Sequence, residues 1–425
     1  MRLLRASTIR LESFFDEAKT PPYAILSHTW GDEEVSFQDL EHVNKHPDYP
    51  RARKILSSQG YYKIRKCCES ALADGWEYVW VDTCCIDKTS SAELSESINS
   101  MFKWYKNAAI CYAHLDDIDS SIVFPNESDS PREENLNKFY FAMARWFTRG
   151  WTLQELIAPR DIVFFSHDWK DLGWKSGMLN LLEEITGIHS FSLSGESLEA
   201  VSIAQRMSWA KNRHTTRTED IAYCLLGIFD VNMPLVYGEG EKAFVRLQEE
   251  IMKDSDDQTL FAWVPDSAKD QEVTDFQRLS EQLGSTYRLS HVNFRRDTRG
   301  IFAKHPREFR APLVLRAWTP PSSGRLEQDH VDAETPYMLT NKGIEIKLRF
   351  LEPSYDVSIA VLNCGEATEE NVLFGIVVQK SIPRFSNRFY RMEPYGLIRI
   401  KLDYLRNSTL RQVYLSRKPY TLMPY

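Results

Sequence analysis

The chain has 425 residues, 43% hydrophobic and 12% aromatic, enough to build more than one folded core and to exclude wholesale disorder. Its net charge of −8 is uneven: residues 1–270 carry 29 Lys and Arg against 43 Asp and Glu, whereas residues 271–425 carry 23 against 17. The acidic part argues against a nucleic-acid surface there, and the Arg and Lys of the basic part are scattered as on an ordinary surface, with Arg295-Arg296 the tightest cluster.

Residues 23–29 (YAILSHT) read as a short buried strand ending at the turn signal Trp30-Gly31-Asp32. A helix is expected from about Tyr61 to Ala73, then a strand over 78–82, covered on both faces because its apolar run is continuous. A second helix over 91–107, a strand over 109–115 and a strand over 161–165 complete an alternation that implies an α/β layer with a parallel sheet. Residues 116–135, rich in Asp, Ser, Asn and Glu, read as an exposed, mobile loop. Residues 202–254 turn helical: Thr216 and Glu219 have capping-box spacing, Ile221, Leu225 and Ile228 form one stripe, and Phe244, Leu247 and Ile251 another. Beyond residue 280, short alternating runs such as 313–315, 343–348, 357–362, 372–378 and 397–400 predict an antiparallel β-sandwich. The expected domains are 1–200, a helical extension over 201–265, and a β-rich domain over 280–425.

Seven cysteines, two pairs of them adjacent, have neither disulfide nor zinc spacing, and no signal peptide or run of eighteen apolar residues occurs. The expectation is a reduced, cytoplasmic protein with no metal, no bound cofactor and no contact with membrane or nucleic acid.

Three motifs fall at the ends of elements in the α/β unit, where parallel sheets form their ligand crevices: Leu26-Ser27-His28-Thr29-Trp30-Gly31-Asp32, Trp80-Val81-Asp82-Thr83-Cys84-Cys85-Ile86-Asp87 and Arg149-Gly150-Trp151-Thr152-Leu153-Gln154-Glu155. In the third, helical spacing puts Trp151 and Glu155 on one face, where the indole would desolvate the carboxyl and raise its pKa; a solvated helix-start acid is the alternative. Asp82 and Asp87 would bind hydroxyls, although a structural cap is the preferred role for Asp82. Cys84 or Cys85 with His28 would suggest a nucleophile and base, but beside a buried strand the cysteines read as small hydrophobes. Gly238-Glu239-Gly240 reads as a turn at a helix start, and Arg213-His214 as a solvated turn.

Taken in this order, the three motifs resemble the HET (heterokaryon incompatibility) domain of filamentous fungi, and the resemblance continues through 217–229 and 237–244 to about residue 265. It implies an effector of programmed cell death after non-self recognition. HET domains have also been thought similar to TIR domains, and Trp151-Thr152-Leu153-Gln154-Glu155-Leu156 resembles the Trp-Cys-Leu-x-Glu-Leu pattern of NAD-cleaving TIR proteins, with Thr152 in place of the cysteine. The resemblance implies a TIR-like, flavodoxin-like sheet, NAD+ as substrate, Glu155 as catalytic carboxylate, and Ser27, His28, Trp30, Gly31, Asp82, Arg149, Trp151 and Gln154 around the substrate. It also implies self-association on activation and an upstream sensor of non-self. A non-enzymatic scaffold acting by self-association and a cysteine- or metal-dependent hydrolase are the alternatives.

Overall fold

The computed structural model describes residues 1–122, 131–265, 268, 273–285, 298–309, 315–317, 337–353, 357–369, 371–381, 387–392 and 395–419. It divides into two units, Met1–Leu198 with Asn212–Tyr237, and Glu199–Lys211 with Gly238–Tyr425. The segment read as one helical extension, 201–265, is thus shared between them. Its two stripes bury in different cores: Gly227 sits so close to Phe102 that an added Cβ would lie 2.0 Å from the Phe102 Cβ, whereas Gln248, on the helix Lys242–Asp254, bonds the backbone of Ala303 in the second unit.

In the first unit, seven strands form one sheet: β1 (Arg2–Arg5), β2 (Arg10–Ser13), β3 (Ala24–His28), β4 (Tyr78–Trp80), β5 (Ile110–His114), β6 (Ile162–Phe165) and β7 (Asp171–Trp174), in the order β2-β1-β4-β3-β5-β6-β7. The central four are parallel, and β3 and β5 are buried along their whole length, as their continuous apolar runs require. Antiparallel β1 and β7 flank them. The β1–β2 hairpin was not evident in the sequence, since only Leu3 and Leu4 on one strand bury.

The crossovers carry α1 (Phe37–Lys45), α2 (Pro50–Leu56), α3 (Gln59–Ala73), α4 (Asp82–Cys85), α5 (Ser91–Asn107), α6 (Pro131–Ala142) and α7 (Thr152–Ile157). The helix α1 opens with a capping box in which Ser36 and Asp39 satisfy each other's backbone N–H groups. The expected loop 116–135 is shorter than read. Pro131 opens α6, where a proline's missing N–H costs nothing, and Ile118 and Ile122 are buried. Residues 123–130 of that loop lie outside the described residues. The expected capping box at Thr216 does not form: the short helix Asp220–Tyr223 has Glu219 at its N-cap with no side-chain cap, and the Thr216 hydroxyl accepts from Arg149 instead.

The second unit is β-rich, with strands β8 (Val273–Asp275), β9 (Thr298–Arg299), β10 (Leu315–Ala317), β11 (Met338–Thr340), β12 (Gly343–Leu351), β13 (Ser358–Glu366), β14 (Val372–Lys380), β15 (Arg388–Met392), β16 (Leu397–Lys401) and β17 (Thr409–Leu415). Among the described residues they belong to one sheet, where a sandwich was expected to give two. The pairings β13–β12–β17–β15–β14 return to β13, closing a ring within one sheet, with β15 and β17 parallel. Alternating residues are common to sandwiches and closed sheets, and long-range pairing decides between them. Residues 313–314 and the Arg295-Arg296 cluster lie outside the described residues. The basic side chains of this unit are not all surface: Arg391 is buried, donates to the Phe261 (2.8 Å) and Trp263 carbonyls, and lies 3.5 Å from the Trp263 ring centroid, while buried Arg299 pairs with Glu308.

Candidate functional site

Counted along the chain, the four parallel strands take the order second, first, third, fourth, so the crossovers diverge between β3 and β5. Past the carboxyl ends of those two strands lies the place where open α/β sheets bind ligands. The end of β3 is Ser27-His28, two polar residues inside a strand that is buried throughout, and buried polar groups must find partners.

Ser27 finds Glu155. Its hydroxyl donates to Glu155 Oε2 at 2.5 Å and accepts from Trp146 Nε1 at 2.8 Å. Tyr105, on α5, also contacts this carboxyl, and its hydroxyl donates to the Leu26 carbonyl at 2.8 Å. Glu155 is 7% exposed, and burial raises its pKa from 4.5 to about 8; the Asp82 charge adds to the rise, against the Ser27 and Tyr105 hydrogen bonds and the attraction of Arg213. At neutral pH the carboxyl is therefore mostly uncharged. The groups that bond Glu155 come from β3 and α5, and the Trp146 turn acts on it through Ser27. Trp151, four residues before it, is half-buried and bonds the carboxyl of Asp220.

His28 finds Asp82. The His28 Nε2 lies 2.9 Å from Asp82 Oδ1, and the indole N–H of Trp30 donates to Asp82 Oδ2 at 2.8 Å. The ammonium of Lys88 stands 3.9 Å from Asp82 Oδ2. Burial alone would raise the Asp82 carboxyl, but Lys88, His28 and Trp30 outweigh it and hold it well below the usual range. Asp82 is thus not the cap that the sequence favoured: the N-cap of α4 is Val81, with no side-chain cap. Asp87 turns to local partners, the Thr89 N–H (3.0 Å) and Gln38 Nε2 (2.6 Å).

Of the remaining expected residues, Gly31 and Arg149 have structural partners. The Gly31 N–H donates to Glu34 Oε1 at 2.8 Å. Arg149 donates to Thr216 Oγ1 at 3.2 Å, and Gln154 is buried with its Nε2 unpartnered. Two cations that sequence reasoning missed bracket α7. Arg213, read as part of a solvated turn, is buried and donates to the Arg149 carbonyl (2.8 Å) and to Thr152 Oγ1 (3.0 Å) at its start. Lys175, 1% exposed, donates to the Leu156 and Pro159 carbonyls at its end, both at 2.8 Å, where a helix presents unpaired C=O groups. A single charged residue in a turn carries no burial signal in sequence, which is why both were missed. The Gly238 and Gly240 backbones adopt positive φ before the helix Lys242–Asp254, as the turn reading expects.

All seven cysteines are buried thiols. The Cys84 thiol is pushed well up by its hydrogen bond with Cys85 and by burial, the opposite of an activated nucleophile. Among the described residues no group of three His, Cys, Asp or Glu is arranged to hold a metal ion, and no helix is long and apolar enough to cross a membrane.

Residues 23–155, which span β3 to Glu155, match the family model described as Heterokaryon incompatibility protein (HET). The chain carries a HET domain. Residues 242–384 match a second model, described as a domain of unknown function (DUF8212). The chain is similar to Vegetative incompatibility protein HET-E-1 of Podospora anserina, 47% identical over 260 residues, which cover 60% of this chain. It spans 18% of that relative's length. No solved structure gives a significant match. The matched HET segment begins at Tyr23, just before β3, and ends at Glu155, so it contains both clusters, Ser27–Glu155–Trp146 and His28–Asp82–Trp30.

Proposed function

We propose that the HET domain hydrolyses NAD+ at Glu155, releasing nicotinamide, and that the chain acts through this reaction as an effector of fungal heterokaryon incompatibility and cell death. The effector role follows the HET match and the printed name of the Podospora relative. The reaction rests on one observation: a buried carboxyl, its pKa raised by burial to about 8, is bonded to Ser27 at the carboxyl end of β3. The strand order of the parallel core is also that of flavodoxin-like sheets, the class to which a TIR-like fold would belong.

The chemistry asks little more. The bond between C1′ of the ribose and the pyridinium nitrogen breaks, its electron pair neutralising the ring, and the sugar passes through an oxocarbenium-like state that water completes, giving ADP-ribose, nicotinamide and a proton. A cationic substrate beside Glu155 would lower its pKa so that the proton leaves to solvent, and the resulting carboxylate stabilises the developing positive charge. Arg213 and Lys175 hold the two ends of α7 so that this carboxyl stays in place.

Incubation of purified protein with NAD+, ATP and a peptide pool, followed by separation of products, tests the reading: nicotinamide and ADP-ribose in equal amounts support it, and products from ATP or peptide alone overturn it. Cys84→Ser and Cys85→Ser should lower the melting temperature more than the activity per folded molecule, because each puts a hydroxyl in an apolar site. An inactive but well-folded Cys85→Ser protein would favour a thiol nucleophile.

Self-association belongs to the same reading. Specific activity should rise with protein concentration or with a fused oligomerising tag, since a competent state that is only fractionally populated gains from any contact that orders it. Constant turnover per molecule by a species that light scattering shows to be monomeric would place the whole site within one chain.

A further inference from the structure

Trp30 is 51% exposed, yet it is not a loose surface side chain. Its N–H is tied to Asp82 at 2.8 Å, Asp82 is tied in turn to His28, and the Lys88 ammonium lies 3.7 Å from its ring centroid. Three polar groups thus fix an indole whose remaining surface stays in solvent, at the end of β3, where a ligand is expected. An aromatic ring held in advance loses little freedom when a second ring stacks on it.

We propose that Trp30 is the stacking platform for a neutral nucleobase, the adenine end of a dinucleotide whose cationic end lies toward Glu155; this rests on the NAD+ reading above. The cation already over Trp30 decides between the two rings. An indole that carries an ammonium on one face is a poor partner for a pyridinium on the other, because the two positive charges repel through it, whereas a neutral purine meets no such penalty. Glu155, as a carboxylate, favours the pyridinium for the same reason. Trp30 stands three residues beyond Ser27, roughly 10 Å of extended chain at most, a separation that a dinucleotide spans easily. Lys88 also places a positive charge beside the platform, where the phosphates that join the two nucleosides would pass.

The test compares binding of AMP and of ribose 5-phosphate to the full chain by calorimetry, in the parent, Trp30→Ala and Trp30→Phe, with nicotinamide release from NAD+ measured on the same preparations. The parent should bind AMP more tightly than ribose 5-phosphate, Trp30→Ala should weaken AMP by about 5- to 100-fold and remove the difference, and Trp30→Phe should keep most of it. An AMP affinity that is the same in the parent and in a folded Trp30→Ala protein overturns the proposal, as does a parent that binds AMP no better than ribose 5-phosphate. AMP binding that depends on Trp30 without any nicotinamide release keeps the platform and overturns the hydrolysis reading; release with AMP binding independent of Trp30 does the reverse.

Discussion

Glu155→Gln should abolish measurable NAD+ turnover and the associated toxicity while leaving the protein folded. Removing a single preorganised group that stabilises transition-state charge typically costs ~10²–10³ in rate, and a group that faces a full oxocarbenium charge stands at the upper end of that range. Glutamine keeps the shape of the side chain and an oxygen to accept from Ser27, so the bond to β3 survives. The melting temperature at pH 8 should be no lower than the parent's, because the variant no longer has a carboxyl that loses its proton in a buried site. Full turnover by the variant would remove Glu155 from the chemistry; an unfolded variant would make its role structural.

The second expected result is a pH dependence with two signs. The reacting form is the carboxylate, so kcat/KM for NAD+, which reports the free protein, should rise about tenfold per pH unit below about 8 and level off above it. Stability moves the other way. The carboxyl is raised in the folded chain from 4.5 to about 8, so its contribution is fully present below 4.5 and is lost as pH rises to about 8. Measured as the parent minus Glu155→Gln in urea unfolding, the difference should fall between pH 4.5 and 8, by at most about 1.4 kcal/mol per unit, and stay flat above. Taking the difference cancels the other groups that titrate in this range, Lys175 among them, whose pKa burial lowers to about 8. A flat difference across the window would mean that Glu155 is charged in the folded protein at neutral pH.

The parallel layer was legible because its strands are short apolar runs between turn signals, and β3, β5 and β6 fall within a residue or two of their expected ranges. The motifs were legible as a set for the same reason: each sits where a buried strand or helix ends. What joins them was not. Ser27 and Glu155 are 128 residues apart, and no local period states that the serine at the end of one strand bonds a glutamate on a helix two crossovers later. Helical spacing suggested Trp151 as the neighbour of Glu155, and tertiary packing adds Ser27 and Tyr105 on the carboxyl, with Trp146 bonded to Ser27. Arg213 and Lys175 were unreadable because a buried cation that bonds backbone carbonyls looks in sequence like any surface charge. In the second unit the strands could be read from their alternation, but the closure of β13 through β12, β17, β15 and β14 depends on pairings that alternation does not encode.

The claim on which the rest depends is that a cationic ligand meets Glu155 and, by favouring the carboxylate, displaces its proton to solvent. Calorimetric titration of the protein with a non-hydrolysable carbocyclic NAD+ analogue, repeated at pH 7 in two buffers of different ionisation enthalpy, counts the protons released on binding. With a carboxyl that titrates at about 8, close to one proton should leave per analogue bound, and none in Glu155→Gln. Binding with no proton release in the parent, or with equal release in both proteins, would contradict the account.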